Sequence, residues 1–424
     1  MAPDTPTPAP TRVFIAGGSY AGLSAALNLL DLASGVNPRM SGEAYPHVPN
    51  FEKMDVEITI ADERDGFYHL IGSPLALADS NYTKKAWVKF RDIPSLQQPN
   101  IKVVIGSVTT VDCAAKTVTT LEAVTKVPTE HAYDFFVAAS GLRRVWPVVP
   151  QSLSRKQYLV EAAEHIHAVS NAQHGVVVVG GGAVGIEMAA ELKLVHPCVD
   201  VTLVHSRDKL LSSEALSDEC KDTALDLLRE SGVNVLMSHR LSKSDRVETM
   251  DGSTKYEIEF SNGHKMAASE VIMAVSQPAS TATYMPATAL DENNLVKINP
   301  NSLTLVAGTP NAEYHFCAGD AARWSGIKRC GGAMHGGHYV AHNIHQTILR
   351  DRAPGGHEAK YSELTEFPAV IGLAVGKKAV ASSPDSGTVS GEDVMQAYFR
   401  NDLGFDICWE YMQLGGQKYT VIDA

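Results

Sequence analysis

Several features are missing from this sequence of 424 residues, and each absence excludes a class of protein. It has no uninterrupted apolar run of about 18 residues, the minimum for a membrane-spanning helix. Its first eleven residues, MAPDTPTPAPT, lack the basic segment and apolar core of a secretory signal. We therefore expect a cytoplasmic protein without an integral membrane segment.

Cysteine is sparse and basic residues are outnumbered. None of the cysteines forms C-x-x-C or C-x4-C, so their spacing predicts no disulfide framework, zinc site or flavin-linked redox pair. The formal net charge of −12 disfavours nucleic acid and anionic membranes as partners, because both repel an acidic surface. The six cysteines are Cys113, Cys198, Cys220, Cys317, Cys330 and Cys408.

A glycine-rich turn lies near the start of the chain. Residues 12–30, RVFIAGGSYAGLSAALNLL, have the pattern of a strand, a turn and a helix. Ser19 replaces the middle glycine of G-x-G-x-x-G, which normally lets the backbone approach a pyrophosphate. The turn consists of Gly17, Gly18, Ser19, Tyr20, Ala21 and Gly22.

A second turn, in residues 174–194, has the complete pattern. Gly180, Gly182 and Gly185 follow the apolar run VVVV and precede a helical segment. One such motif is weak, since glycine-rich turns join many strands to helices, and two unrelated turns remain the alternative. Two strand–turn–helix copies nevertheless predict an α/β fold with two Rossmann-like dinucleotide-binding domains.

The strand after each turn should end in a residue that meets the adenosine ribose. In the first copy this residue is Asp62, followed by Glu63 and Arg64. Asp62 comes later than the usual spacing of about 20 residues, and we assign the excess to a surface insertion at residues 32–53. In the second copy His205, Ser206 and Arg207 occupy the strand end, and no acid is present at the usual distance.

Two further patterns fit the same scheme. Segments 134–142 and 270–278 are short apolar strands that end in small residues, the first of them in Ser140 and Gly141. The segment HFCAGDAARW ends a strand in Gly319 and Asp320, where a carboxylate can accept a hydrogen bond from a ribityl hydroxyl as a helix begins. Alone, Gly-Asp is a common turn.

In this order the motifs resemble the two-dinucleotide-binding-domain flavoproteins. The chain is most similar to their apoptosis-inducing-factor-like branch, which contains the ferroptosis-suppressor quinone reductases and, further off, type II NADH dehydrogenases. The resemblance runs from about residue 12 to 412 and includes ERDGFYHLIGSPLALAD, TKKAWVKF, GIEMAAEL and GGAMHGGHYVAHNI. It implies that the first turn binds FAD and the second NAD(P)H, and that the Ser19 hydroxyl faces a phosphate oxygen.

The resemblance also implies a domain plan. The FAD-binding domain is discontinuous, with residues 11–150 and 294–352, and the NAD(P)H-binding domain is inserted at residues 151–293. A small C-terminal α+β domain, residues 353–424, forms part of the active-site wall or a homodimer surface.

Catalytic roles come from the same resemblance. Glu187 is expected beside the nicotinamide and flavin, although an acid in the first turn of a helix is a simpler alternative. Met334 and His335 are expected to open a helix aimed at the flavin pyrimidine edge. His69, with Pro74, is expected to pack along the flavin.

Two other groups of side chains have plainer interpretations. The histidines of the last glycine-rich helix are better explained as a packed or exposed helix face than as a metal site, because no carboxylate or cysteine lies among them. For Lys84 and Lys85, a position on the solvated surface is at least as good an explanation as a role in binding phosphate or substrate. These histidines are His335, His338, His342 and His345.

The implied function is an FAD-dependent NAD(P)H oxidoreductase that passes hydride to flavin and on to a quinone-like small-molecule acceptor. Two departures from the family bear on the acceptor: Phe399, beside Arg400, replaces a basic residue, and no membrane attachment is evident.

Two alternatives to this function stay open. One is a flavoenzyme acting on a specialised-metabolite intermediate, and the other is a non-enzymatic flavoprotein that senses NAD(P)H.

The second strand end generates a prediction about the electron donor. An acid there would repel the 2′-phosphate of NADPH, whereas Ser206 and Arg207 can hydrogen-bond it. We expect use of both donors, with a preference for NADPH. Steady-state kinetics should show that Arg207→Ala raises the KM for NADPH roughly tenfold, as expected for a lost charge-assisted hydrogen bond. The KM for NADH should change little, and a wild-type enzyme that ignores NADPH would contradict this interpretation.

Overall fold

Two sheets, one parallel and one mixed, are built around the two glycine-rich turns in the computed structural model. It describes residues 9–42, 45, 53–248, 254–275, 279–324, 327–353, 356–366 and 368–416. Much of the expected insertion at 32–53, the end of segment 270–278 and both chain ends lie outside the described residues.

The strands, in chain order, are β1 (Thr11–Ala16), β2 (Val56–Asp62), β3 (Gly66–Tyr68), β4 (Trp87–Lys89), β5 (Ile101–Asp112), β6 (Thr117–Glu122), β7 (Pro128–Ala132), β8 (Phe135–Ala138), β9 (Leu142–Arg143), β10 (Val176–Val179), β11 (Val201–Val204), β12 (Asn234–Leu236), β13 (Leu241–Glu248), β14 (Thr254–Phe260), β15 (Lys265–Ala268), β16 (Glu270–Met273), β17 (Ala279–Ser280), β18 (Val296–Lys297), β19 (His315–Cys317), β20 (Ala322–Arg323), β21 (Ile371–Val375), β22 (Lys378–Ser383) and β23 (Gly387–Gly391). The α-helices are α1 (Tyr20–Ala33), α2 (Ser73–Ala76), α3 (Ser80–Lys85), α4 (Arg155–Ser170), α5 (Ala183–Val195), α6 (Asp218–Glu230), α7 (Cys330–Arg352), α8 (Glu392–Tyr398) and α9 (Phe405–Tyr411).

The first sheet has the strand order β19-β8-β1-β2-β5-β6-β7. The five strands from β19 to β5 are parallel, and β6 and β7 continue the sheet as antiparallel strands. In β1 the side chains of Val13 and Ile15 are buried on one face and those of Phe14 and Ala16 on the other. Burial on both faces explains why this strand is an uninterrupted apolar run.

The second sheet has the order β12-β11-β10-β16 and is parallel throughout. One of its two interior strands, β10, consists of four buried valines, Val176–Val179. One face is covered by the antiparallel sheet β13-β14-β15, whose Ile258 and Phe260 pack against Val177 and Val179. The expected α/β fold is confirmed.

A three-stranded antiparallel sheet, β21-β22-β23, and the helices α8 and α9 form the C-terminal part. Buried polar contacts hold this part against the segments that connect the strands of the first sheet. His69 Nε2 lies 3.0 Å from Leu403 O, and Tyr82 donates to Asp402 O at 2.6 Å. Lys85 Nζ lies 2.7 Å from both Asp402 and Asp406, so this half-exposed lysine joins two parts of the chain.

Helices α1 and α7 cross with their backbones close together. A Cβ atom added at Gly337 would lie 2.2 Å from the carbonyl oxygen of Ala21 and 2.9 Å from Ser24 Cβ. The Ser24 hydroxyl donates to Met334 O at 2.6 Å across this crossing. In the described part of the chain no helix, α7 included, is long and apolar enough to cross a membrane.

This crossing generates a stability prediction. Gly337→Ala places a methyl group against backbone, so we expect a loss of about 1–3 kcal/mol in the free energy of unfolding, as for overpacked cores. Gly336→Ala is the matched control, because its Cβ would meet Ala318 Cβ at an ordinary 3.5 Å. Urea unfolding monitored by circular dichroism tests the pair; equal stability of the two variants would contradict the packing argument.

Candidate functional site

Both glycine-rich turns close through the same backbone contact. Gly17 has φ of +115°, and a Cβ at Gly22 would lie 1.8 Å from Gly17 O. Gly180 has φ of +126°, and a Cβ at Gly185 would likewise lie 1.8 Å from Gly180 O. Only glycine permits this approach of strand end to helix, which explains the first and last glycines of each motif.

The middle position of the motif is open in the second turn. A Cβ added at Gly182 would meet no described heavy atom within 4 Å. Ser19 holds the corresponding place in the first turn, with extended backbone and no side-chain bond to the α1 terminus. The substitution that makes the first motif incomplete is therefore compatible with the turn, and the Ser19 hydroxyl remains available to a ligand.

The two strand ends after these turns also correspond. Asp62 accepts from Gly18 N at 2.7 Å and from Arg64 N at 2.8 Å. His205 Nδ1 accepts from Gly181 N at 3.1 Å, and its Nε2 lies 3.0 Å from Ser212 Oγ. Burial lowers the pKa of His205, so the neutral ring acts as the acceptor that the carboxylate provides in the first copy.

Other predicted side chains around the strand ends have protein partners. Arg207 donates to Ser212 O at 3.1 Å, and Ser206 is exposed. Glu63 forms an ion pair with Arg143 at 2.7 Å.

The segments expected near the flavin lie at the ends of β8 and β19. Ser140 Oγ is 2.9 Å from Tyr284 Oη, and Gly141 has φ of +72°. Gly319 and Asp320 form a single 3-10 turn, and the Asp320 carboxylate is 3.7 Å from Arg144 Nη2.

The expectation that a helix begins at Asp320 is wrong, as is the expectation that Met334 and His335 open it. Strand β20 follows the 3-10 turn, and α7 begins at Cys330. Met334 and His335 therefore lie in its second turn, with Met334 buried and the His335 ring 4.4 Å from that of Tyr339. Glycines disfavour a helix locally, but the close packing of α7 on α1 requires small residues there.

Glu187 lies where three parts of the chain meet. It accepts a long hydrogen bond, 3.4 Å, from Ala374 N of β21, and it is near Cys330 of α7. Burial raises the pKa of Glu187 to about 8. It is the fifth residue of α5, so the alternative of a first-turn acid stabilised by the helix dipole is wrong.

A second carboxyl group follows one helical turn later. Glu191 is 2% exposed, and its Oε1 has no hydrogen-bond partner among the described residues. Burial raises its pKa to about 8 as well. Sequence pattern alone does not separate this glutamate from the other acid of the helix, because only its depth in the packed structure distinguishes it.

His69 is fully buried and both of its ring nitrogens have protein partners. Nδ1 lies 3.0 Å from Tyr20 Oη, and Nε2 is next to Leu403 O. Burial lowers the pKa of His69 to about 4. The residue therefore joins α1 to the C-terminal part as a neutral ring.

The histidines of α7 do not converge. His342 Nδ1 lies 2.9 Å from Ser362 Oγ, and His345 Nδ1 lies 2.8 Å from Tyr45 Oη. No group of three His, Cys, Asp or Glu side chains within the described ranges is placed to hold a metal ion. Arg400, next to the buried Phe399, pairs with Glu410 at 2.8 Å on the surface.

Sequence spacing missed one pair of residues. Cys330 and Cys408, which are far apart in the chain, are close enough for each thiol to shift the pKa of the other: that of Cys330 is lowered and that of Cys408 is raised. Motif spacing can reveal only cysteines close together in sequence, whereas these two come near each other only in the folded chain.

Known proteins match this chain over most of its length. The family described as pyridine nucleotide-disulphide oxidoreductase matches residues 11–337. Oxidoreductase OXR1 of Ajellomyces capsulatus is 49% identical over 414 residues, covering 96% of this chain and 89% of that protein. Ferroptosis suppressor protein 1 of Mus musculus is 26% identical, covering 68% and 69% of the two chains. The resemblance inferred from the motifs is confirmed.

Solved structures share the fold at low identity. NDH2 of Plasmodium falciparum, in complex with NADH, has a TM-score of 0.65 at 13% identity, covering 96% of this chain and 97% of that one. The sulfide:quinone oxidoreductase of Aquifex aeolicus has a TM-score of 0.64 at 17% identity, covering 95% and 92%. The arrangement of two dinucleotide-binding domains is therefore confirmed.

The buried carboxyl group of Glu191 generates a prediction about how stability depends on pH. Because burial raises the pKa of Glu191 above 4.5, the native state keeps a proton that the unfolded chain releases. Stability should therefore fall as pH rises from about 4.5 to about 8. Glu191→Gln stays neutral, so its melting temperature should fall less over this range than that of the wild type.

The matched control for this measurement is Glu164→Gln, because Glu164 is exposed on α4. Its melting temperature should follow the wild-type curve across the same pH range. If the Glu191→Gln curve also runs parallel to the wild type, the buried carboxyl group does not govern the pH dependence.

Proposed function

Because the chain belongs to the pyridine nucleotide-disulphide oxidoreductase family, whose FAD and NAD(P)H cofactors it shares, we propose that it transfers electrons from NADPH or NADH to a quinone-like acceptor. The chain is an oxidoreductase; the acceptor and the residue roles are our proposal. The expected domain limits are part of this proposal. They are residues 11–150 with 294–352 for the FAD-binding domain, 151–293 for the NAD(P)H-binding domain and 353–424 for the C-terminal domain.

The first turn has the properties of an FAD cradle. The close contact of Gly17 with Gly22 brings the start of α1 to the end of β1, so the backbone N–H groups there are directed at one place. Asp62 accepts a hydrogen bond from Gly18 N, and its carboxylate would lie near the adenosine ribose of FAD. Asp320, from the end of β19, would supply the ribityl contact, and FAD when bound supplies the redox chemistry.

The second turn has the same geometry for the nicotinamide nucleotide. Gly182 presents no side chain where the pyrophosphate would lie. Arg207 is held by Ser212 at the strand end, where its guanidinium can meet the 2′-phosphate of NADPH. His205 fixes Gly181 N without introducing the negative charge that would repel this phosphate.

The observation that carries the acceptor proposal is the position of Glu187. It lies between the second turn, the start of α7 and the C-terminal part, and its pKa of about 8 means that it holds a proton at neutral pH. Reduction of a quinone consumes protons as well as electrons. A protonated carboxyl group at this meeting point is suited to deliver one of them.

The test compares two kinds of acceptor. Glu187→Gln should lower kcat with a soluble quinone by roughly 100-fold, the usual contribution of a general acid. Turnover with ferricyanide, which accepts an electron without a proton, should stay close to wild type. Glu191→Gln, one helical turn away, is the matched control, and its kcat with both acceptors should stay close to wild type.

Equal losses with both acceptors would show that Glu187 acts on the donor and not on the acceptor. The broader function fails if wild-type enzyme, loaded with FAD, reduces no quinone in a panel faster than it reduces oxygen. A long-lived reduced state with every acceptor would then favour a sensor.

A further inference from the structure

A groove that is open to solvent lies between a segment connecting strands of the first sheet and helix α9. Its volume is about 580 Å³, within the range of about 300–1,000 Å³ that is usual for small-molecule sites. It is lined by side chains from residues 84–92, from the first residue of α4 and from α9. The residues expected to hold FAD or NAD(P)H are not among its described lining residues, so neither nucleotide explains the groove.

Positive charge is concentrated around this groove, although the chain as a whole has a formal net charge of −12. Five cationic side chains line it, against one acid, Asp92, among its described lining residues. A ligand that enters the groove therefore meets a positively charged surface, which favours an anion. The five cationic residues are Lys84, Lys85, Lys89, Arg91 and Arg155.

Nearby carboxylates neutralise three of these cations and leave two. Within the described part of the chain, Lys84 and Arg155 form no ion pair with an acid. Their charges therefore remain for a ligand. The ion pairs of the other three are Lys85 with Asp402 and Asp406, each at 2.7 Å, Lys89 with Asp65 at 3.8 Å, and Arg91 with Asp92 at 3.8 Å.

The guanidinium group of Arg155 is held in place by backbone carbonyls. Its Nε donates to Trp87 O and its Nη2 donates to Lys84 O, both at 2.9 Å. These two bonds fix the plane of the group and use two of its five N–H groups. Because both acceptors are neutral, the positive charge is not compensated. The remaining N–H groups suit a carboxylate or phosphate, which guanidinium binds through paired hydrogen bonds.

Helix α9 contributes an aromatic wall to the same groove. The rings of Phe405 and Trp409, one helical turn apart, are stacked with their centroids 5.5 Å apart and their planes 15° apart. Phe405 is buried and packs against His69, whereas Trp409 is partly exposed. Lys85 Nζ lies 5.0 Å from the centroid of the Phe405 ring, so positive charge adjoins the aromatic wall. A flat ring can stack on such a wall while an anionic substituent reaches the cations.

We propose that this groove binds a planar aromatic molecule that carries a carboxylate or phosphate group. The ring stacks on Phe405 and Trp409, and the anionic group pairs with Arg155 and Lys84. An inorganic anion alone would leave the aromatic wall uncovered, and a neutral ring alone would leave the two positive charges unpaired. The proposal does not depend on which electron acceptor the enzyme uses, because the groove shares no residue with the proposed nucleotide sites.

Isothermal titration calorimetry of the FAD-loaded enzyme, with NADP⁺ at saturation, tests the ligand class with three probes. 1-Naphthyl phosphate has both the ring and the anion, 1-naphthol has the ring alone, and inorganic phosphate has the anion alone. The Kd of 1-naphthyl phosphate should be lower than that of either other probe by roughly tenfold or more, because each lacks one of the two interactions. Absence of 1-naphthyl phosphate binding, or equal affinity for 1-naphthol or inorganic phosphate, would overturn the proposal.

Two variants locate the bound probe, one for each part of the ligand. Lys84→Gln and Trp409→Leu should each raise the Kd of 1-naphthyl phosphate roughly fivefold to tenfold, through a lost charge and a lost ring contact respectively. The matched controls are Lys156→Gln on α4 and Tyr411→Leu on α9, because both residues are exposed and lie outside the groove. These controls should bind the probe as the wild type does.

Melting temperatures of all four variants, measured on the FAD-loaded enzyme, separate a loss of binding from a loss of folding. Lys84→Gln in particular changes an exposed side chain, so its melting temperature should equal that of the wild type. Wild-type affinity for 1-naphthyl phosphate in either Lys84→Gln or Trp409→Leu would overturn the proposal.

Discussion

Each glycine-rich turn depends on one backbone contact that side chains would prevent. The space between Gly17 O and the Cα of Gly22, and between Gly180 O and the Cα of Gly185, is too small for a Cβ atom. This contact sets the angle at which α1 and α5 leave their strands, and hence the direction of the N–H groups at each helix start. The positions of Asp62 and His205, and of Glu187 along α5, follow from it.

A second level of organisation comes from the packing of α7. Its glycines let it lie against α1, which places Cys330 beside Tyr20 and Glu187. The C-terminal part then covers this meeting point through Ala374 N–H and the contact of Leu403 with His69. Burial by these three elements is what raises the pKa of Glu187, so the chemistry proposed for this residue is a property of the assembled site.

Much of the fold could be predicted because it is determined by short sequence patterns. Apolar runs such as Val176–Val179 and positive-φ glycines such as Gly17 have local physical causes, and the α/β class follows from them. The start of α7 could not be predicted, since the residues around Cys330 favour a loop locally and only packing on α1 makes them helical.

The site could be predicted only in part, for a related reason. Sequence spacing identifies residues that act along one strand or turn, such as Asp62 and His205, because neighbours in the chain remain neighbours in the fold. It carries no information about depth or about contacts between distant segments. Glu191, buried one turn beyond Glu187, and the Cys330–Cys408 pair both depend on such contacts.

Anaerobic rapid mixing tests the central claim most directly, namely that this site takes electrons from a nicotinamide donor and gives them to a quinone. FAD-loaded enzyme would first be mixed with NADPH and then with a soluble quinone, while the visible absorbance of the flavin is recorded. The account predicts that NADPH bleaches this absorbance and that the quinone restores it within the time of one turnover. Absorbance that NADPH leaves unchanged, or bleaching that the quinone fails to reverse, would contradict it.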